Sequence, residues 1–186
     1  VGNIKTIQNN IHKAQTWLTQ NVFPIWFEKG FENSTGCFVE AFSMDGEPLS
    51  HLDRRAMVQA RQIFAVTEAV RLNLFSLEKA KVLIQKNVQL FIERYSFSTG
   101  GYAHSLNPQL KVSNSDTDLY TQAFVLFGLA KAYELLKQEQ IAVEAKKLLS
   151  YLKKRRSLNQ GGYTEIKKGE TLYQSNAGIV ARHING

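Results

Sequence analysis

Thr99-Gly100-Gly101-Tyr102-Ala103-His104 is one of three segments that read as copies of one another. The others are Thr35-Gly36-Cys37-Phe38-Val39-Glu40 and Gln160-Gly161-Gly162-Tyr163-Thr164-Glu165. Their glycines at Gly36, Gly100 and Gly161 stand 64 and then 61 residues apart. The first two copies precede apolar helices that open with polar residues, and the third reaches the start of such a helix. A repeat of this length marks one supersecondary unit that cannot bury its apolar face alone and must stack on its neighbours.

Working outward, helical periodicity dominates. Ile4, Ile7, Ile11, Ala14, Leu18 and Val22 recur at three- and four-residue steps as one apolar stripe, with Pro24 expected to kink or end that helix. A second helix is predicted from Asp53 to about Asn73. A third runs from the N-cap Ser76 to about Tyr95, a fourth over about Thr117 to Lys137, and a fifth over about Glu139 to Lys154. The fourth contains Ala123-Phe124-Val125-Leu126-Phe127-Gly128-Leu129-Ala130, apolar nearly all round, so burial on most sides is expected. Apolar helices two and four alternate with amphipathic helices one, three and five, as inner and outer layers of a double ring would. The turn signals Met44-Asp45-Gly46-Glu47-Pro48 and Leu106-Asn107-Pro108 predict short β-hairpins after the glycines, with Glu40, His104 and Glu165 in one phase.

A chain of 186 residues fits one domain, and no apolar run approaches the roughly 20 residues that span a bilayer. The first ten residues lack a basic stretch followed by an apolar core, so no secretory signal is read there. One cysteine, Cys37, cannot close an internal disulfide, and a cytoplasmic setting is expected. The net charge of +7 is concentrated in Lys146, Lys147, Lys153, Lys154, Arg155 and Arg156, followed by Lys167 and Lys168. No aromatic residues interleave that run, so it reads as a solvated face at a helix C-terminus; neither nucleic acid nor membrane is an expected partner.

The second helix carries Arg55, Gln59 and Gln62 on one face, at steps of four and three. An arginine there must meet a carboxylate, an anionic ligand or water. The fourth opens with Ser115-Asp116-Thr117-Asp118, ordinary capping residues. If the repeats stack in parallel, both N-termini open on one end of the ring, a setting suited to developing negative oxygen charge. There is no phosphate loop, metal-spaced His/Cys cluster or nucleophile elbow, and His12, His51, His104 and His183 are scattered.

Arg54-Arg55-Ala56-Met57-Val58-Gln59-Ala60-Arg61-Gln62 and Asp118-Leu119-Tyr120-Thr121-Gln122-Ala123-Phe124-Val125-Leu126 resemble the N-acylglucosamine 2-epimerase family, which includes cellobiose 2-epimerases and mannose or mannose-6-phosphate isomerases. Gly36-Cys37-Phe38-Val39-Glu40 with Asp45-Gly46 is also similar. The resemblance implies an all-α fold, an incomplete (α/α)6 barrel of about five to six helices with short β-hairpins between outer and inner helices. Residues 1–176 would be its amino-terminal half and 177–186 a divergent tail. It implies proton transfer at C2 of a ring-opened sugar through an enediolate, with no cofactor and no metal. Arg55 would hold the substrate oxygen, and Glu40, Gln59, Tyr102, His104, Tyr120, Gln122 and Asn176 would line the sugar site. The ligand would be a monosaccharide, a sugar phosphate or a disaccharide.

The family's third inner helix opens with Asn-Pro-His-Met-His. Here Gln174-Ser175-Asn176 matches and Ala177 to Gly186 does not, and His183 is out of place. No catalytic residue is therefore assigned in this chain, which is expected to be inactive alone: a frameshifted, prematurely stopped or naturally short form. The exposed inner helices would be covered by a second copy or by a complementing chain.

Overall fold

The computed structural model describes residues 2–168 and 171–173. Helix α1 (Gly2–Trp17) does not stop at Pro24 but runs on through two wider turns, Leu18–Val22 and Pro24–Lys29. There the Phe23 and Gly30 N–H groups reach back five residues to Leu18 and Ile25. Pro24 lacks the N–H that would bond back to the preceding turn, and it stands where the helix widens. The apolar stripe divides: Ile4, Ile7 and Ile11 are exposed, and no described element covers them. Phe23 and Phe27 in the wide turns are buried against Phe75.

The chain continues through β1 (Phe31–Glu32), β2 (Cys37–Phe38) and β3 (Arg54–Arg55) into α2 (Ala56–Arg71). Next come α3 (Leu77–Leu90) with a wide turn to Tyr95, β4 (Ser105–Leu106), β5 (Val112–Asn114), α4 (Leu119–Leu136) and α5 (Glu139–Arg156). Strands β6 (Ile166–Lys168) and β7 (Thr171–Tyr173) form a last hairpin. Ser76 caps α3, its hydroxyl accepting from the Lys79 N–H. The second helix starts three residues later than its periodicity predicts, because Arg54 and Arg55 pair with Leu106 and Ser105 in the sheet β3-β4-β5.

Helices α2 and α4 form the inner layer and pack backbone-close. A Cβ on Gly128 would stand 2.9 Å from the Ala60 Cβ, nearer than real Cβ atoms come. They run parallel and in register: Phe64 meets Phe127 with ring centroids 5.1 Å apart, and Lys131 reaches Glu68 at 3.1 Å. Helices α3 and α5 cover one side, burying Ala80, Ile84, Val88, Ile141 and Leu148. The burial on most sides expected of α4 leaves part of its surface open. Tyr120, Phe127 and Tyr133 remain more than a third exposed because no described element lies over them.

The repeat recurs hydrogen bond by hydrogen bond. Val39, Ala103 and Thr164 donate backbone N–H to Gly30, Tyr95 and Arg156, the residues that end the outer helices. Gly36, Gly100 and Gly161 take φ of 72°, 96° and 86°, the left-handed region open chiefly to glycine. The residues at the repeated outer-helix end, Tyr95 and Arg156, also do one job with different chemistry. The Tyr95 hydroxyl donates to the Arg54 carbonyl at 2.8 Å, while Arg156 donates to the carbonyl and hydroxyl of Thr117. Arg156, expected on a solvated face, is therefore fully buried; it also serves the carbonyls of Thr164 and Glu165.

Candidate functional site

The parallel packing of α2 and α4 puts both helix N-termini at one end of the layer. Arg55 occupies the N-cap position of α2 in extended backbone. A cation at a helix N-terminus opposes the helix dipole, and Glu40 offsets it. One Glu40 oxygen accepts from Arg55 Nε at 2.5 Å and the other from the Arg55 backbone N–H at 3.0 Å. The Glu40 side chain is sheltered, whereas 46% of the Arg55 side chain stays exposed. The arginine has thus met a carboxylate without being enclosed.

Asp118 stands at the same position on α4. One oxygen caps the helix by accepting from the Thr121 N–H at 2.7 Å, and the other lies 2.9 Å from His104 Nδ1. The Thr121 hydroxyl approaches the same nitrogen at 3.2 Å. Each N-cap residue is therefore coupled to its own hairpin, Arg55 to Glu40 and Asp118 to His104, so the shared phase of these hairpin positions has a physical meaning. Glu165, third in that phase, has its carboxyl pushed above the ordinary carboxylate range by burial and then by the nearby Asp118 charge.

The hairpins also reach across to the preceding inner helix. The His104 carbonyl accepts the first N–H of α2, from Ala56, at 2.9 Å, and the Glu165 carbonyl accepts the first N–H of α4, from Leu119, at 2.6 Å. His104 consequently bridges the two helix starts, beside Arg55 on the β3–β4 ladder. Deeper along the exposed inner face, Arg61 donates to the Tyr120 hydroxyl at 2.9 Å and lies over the Phe124 ring, 4.6 Å from its centroid. The rim can thus offer a cation to an oxygen, an imidazole oriented by a carboxylate, and an aromatic wall.

Three residues expected at the sugar site are buried in the structure. Gln59 and Gln122 are fully buried, and both ends of each amide are used by a hairpin backbone. Phe38 N–H donates to Gln59 Oε1 and Gln59 Nε2 donates to the Phe38 carbonyl, each at 2.8 Å. Gln122 holds Tyr102 in the same way, at 2.9 and 2.8 Å. Asn87 adds a third bond to Gln59 at 2.9 Å. Tyr102 is itself buried beneath Phe91, and burial raises its phenol above the ordinary tyrosine range. The glutamine side chains fix the hairpins. Glu40, Arg55, His104 and Tyr120 come together at the open end or on the inner face. Asn176, with Gln174, Ser175 and His183, lies outside the described residues.

Arg61 and the second role of Asp118 were not read from the sequence. The 63-residue spacing from Arg55 to Asp118, matching that from Gln59 to Gln122, could have identified the latter. Nothing in the pattern singles out Arg61 from other exposed arginines.

The chain matches the N-acylglucosamine 2-epimerase (GlcNAc 2-epimerase) family over residues 36–179. It is 33% identical over 120 residues to a mannose-6-phosphate isomerase of Rhizobium meliloti (strain 1021) and 24% identical over 120 residues to a cellobiose 2-epimerase of Bacteroides fragilis. Each match covers 64% of this chain and 30% of the relative, so the aligned part spans less than a third of either protein. The fold is that of a cellobiose 2-epimerase from Spirochaeta thermophila, with a TM-score of 0.79 at 16% identity, covering 89% of this chain and 41% of that one. A D-mannose isomerase structure gives a TM-score of 0.67 at 16% identity, over 86% and 41% of the two chains.

Proposed function

Since the chain belongs to the N-acylglucosamine 2-epimerase family, we propose that it forms the substrate-oxygen side of a sugar epimerase or isomerase site. Its role is in carbohydrate metabolism, in C2 proton transfer through an enediolate. The observation that carries this reading is the half-exposed Arg55 at the head of α2, aimed by Glu40. Its guanidinium would take the carbonyl oxygen of a ring-opened sugar and stabilise that oxygen as negative charge develops. His104, oriented by Asp118, and Tyr120 with Arg61 would receive sugar hydroxyls. Relatives named for mannose 6-phosphate and cellobiose support an aldose as the ligand.

The acid–base histidines that the family resemblance implies would come from helices outside these 186 residues. General acid–base groups supply about 10²- to 10⁴-fold each, so the chain alone should not exchange the C2 proton of mannose, N-acetylmannosamine or cellobiose in heavy water. Exchange above the blank would overturn that part of the reading. For the binding part, Arg55→Ala should weaken mannose binding, measured by ligand-detected NMR, by about tenfold. Unchanged binding would remove Arg55 from the site.

Residues 1–176 are taken as one barrel-half unit in a cytoplasmic setting. The lone cysteine, Cys37, which has no second cysteine to pair with, supports the latter. No described helix is long and apolar enough to cross a membrane. A second reading concerns assembly. The bare stripe Ile4, Ile7 and Ile11 and the bare rings of Phe64 and Phe127 call for further helices, from a longer chain, a complementing chain or a second copy. A monomer in light scattering with a cooperative melt would count against it.

A further inference from the structure

On the outer wall, away from the helix N-termini, a groove of about 900 Å3 runs between the end of α3, the turn at Gly100 and α5. The first repeat has a counterpart of about 350 Å3 at the turn of Gly36 on α3. The two are equivalent by contact. A Cβ on Gly36 would meet the Lys86 carbonyl at 3.0 Å, and one on Gly100 would meet the Lys147 carbonyl at 3.1 Å. That equivalence aligns Glu93 with Lys154, Arg94 with Arg155 and Gln89 with Ser150.

The copies share a backbone but not a charge. In the first, Lys86 Nζ is tied across the turn to the carbonyl and side chain of Asn33, at 3.3 and 3.2 Å, and Glu93 accepts from Gln89 at 2.7 Å. In the second, Phe97 stands where Asn33 did, and Lys147 turns instead to Glu144 at 2.7 Å. The carboxylate of Glu93 is replaced by the cation of Lys154. Glu144, the acidic residue lining this groove, is buried and neutralised by Lys147. Ser98 and Thr99 on the turn and Ser150 on α5 line the groove as hydroxyls without a partner among the described residues. The fold requires none of this, since the first repeat folds the same way without it.

We propose that this second-repeat groove binds a small phosphorylated anion, a phosphate ester or pyrophosphate. Lys154 and Arg155 take the phosphoryl oxygens, the serine and threonine hydroxyls donate to them, and Tyr151 and Phe97 wall the rest of the ligand. The proposal is independent of the sugar reading, because none of its residues touches the Arg55 rim. Its test is isothermal titration of the 186-residue chain with inorganic pyrophosphate at about 50 mM salt, where screening is moderate. One saturable site is expected. Lys154→Glu, which restores the acid found at Glu93, should weaken it at least about tenfold, with the circular dichroism and melting temperature unchanged. Arg155→Glu should act alike. Lys81→Glu, an equal charge change near the start of α3, should leave the affinity within about twofold. Absence of saturable binding, an equal loss in Lys81→Glu, or tighter binding of a single-stranded RNA with a steep salt dependence would each overturn the proposal.

Discussion

Replacing Gln122 by leucine should unfold this protein many degrees early, although the substitution keeps side-chain volume and adds apolar surface. The amide of Gln122 accepts from the Tyr102 N–H at 2.9 Å and donates to the Tyr102 carbonyl at 2.8 Å, all of it buried. Leucine leaves that N–H and that C=O facing hydrocarbon. An unsatisfied buried polar group costs about 1–3 kcal/mol, so the pair costs about 2–6 kcal/mol. A protein of this size loses about 2–4 °C of Tm per kcal/mol, which places the drop at about 4–24 °C. Differential scanning calorimetry of Gln122→Leu measures it. Gln62→Leu is the control, on an inner helix without a recorded hydrogen bond, and should move Tm by less than about 2 °C. If Gln122→Leu also shifts Tm by less than about 2 °C, the clamp is not a structural element. If it abolishes sugar binding while leaving Tm unchanged, Gln122 is a ligand contact after all.

The glycine of the second turn is held by two constraints and that of the third by one. Gly100→Ala must adopt φ near 96° and push on the Lys147 carbonyl, whereas Gly161→Ala meets nothing within 4 Å and bears only the strain of φ near 86°. Backbone strain of this kind costs about 1–3 kcal/mol, so in urea titrations Gly100→Ala should be worse than Gly161→Ala by about 1 kcal/mol or more, and equal losses would discredit the close approach. Glu165 has a folded pKa above its unfolded one, so the native state binds the proton more tightly and loses stability as pH rises through the folded value. Glu165→Gln should therefore raise Tm by about 1–3 °C at neutral pH and make no difference below about pH 4, where the carboxyl is protonated in both states. A gain that persists in acid would locate the effect elsewhere.

Much of the architecture could be read from the residues, because glycine followed two residues later by an aromatic, then a helical apolar period, is a physical unit and not a coincidence of composition. The turn glycines needed positive φ and the alternating helices needed two layers, and both needs are visible as letters. The site was harder. A glutamine on the polar face of an inner helix looks the same whether it turns to a pocket or to a hairpin, and it is the family resemblance that implies a sugar contact for Gln59 and Gln122. Their equal spacing argues the other way: a contact that every repeat requires recurs, and a contact with one asymmetric ligand need not. Arg156 was hidden for a related reason. Its basic neighbours Lys153, Lys154 and Arg155 are exposed, and only the carbonyls of Thr117, Thr164 and Glu165 draw Arg156 inward.

The carbonyls of His104 and Glu165 each complete the helix that belongs to the unit before their own. Such a linkage has a direction. Every unit receives its finishing hydrogen bond from its successor and gives one to its predecessor, so removing a unit leaves a fresh unmet N–H at the start of the preceding inner helix. In a row of such units one end always holds a donor without an acceptor and the other an acceptor without a donor. Here the backbone carbonyl of Glu40, equivalent to those two, receives no N–H from α2 or α4. Such a one-way chain needs water or a side-chain cap at each end unless it bends round until its last member meets its first. That would give closure of a ring a local chemical cause as well as a hydrophobic one.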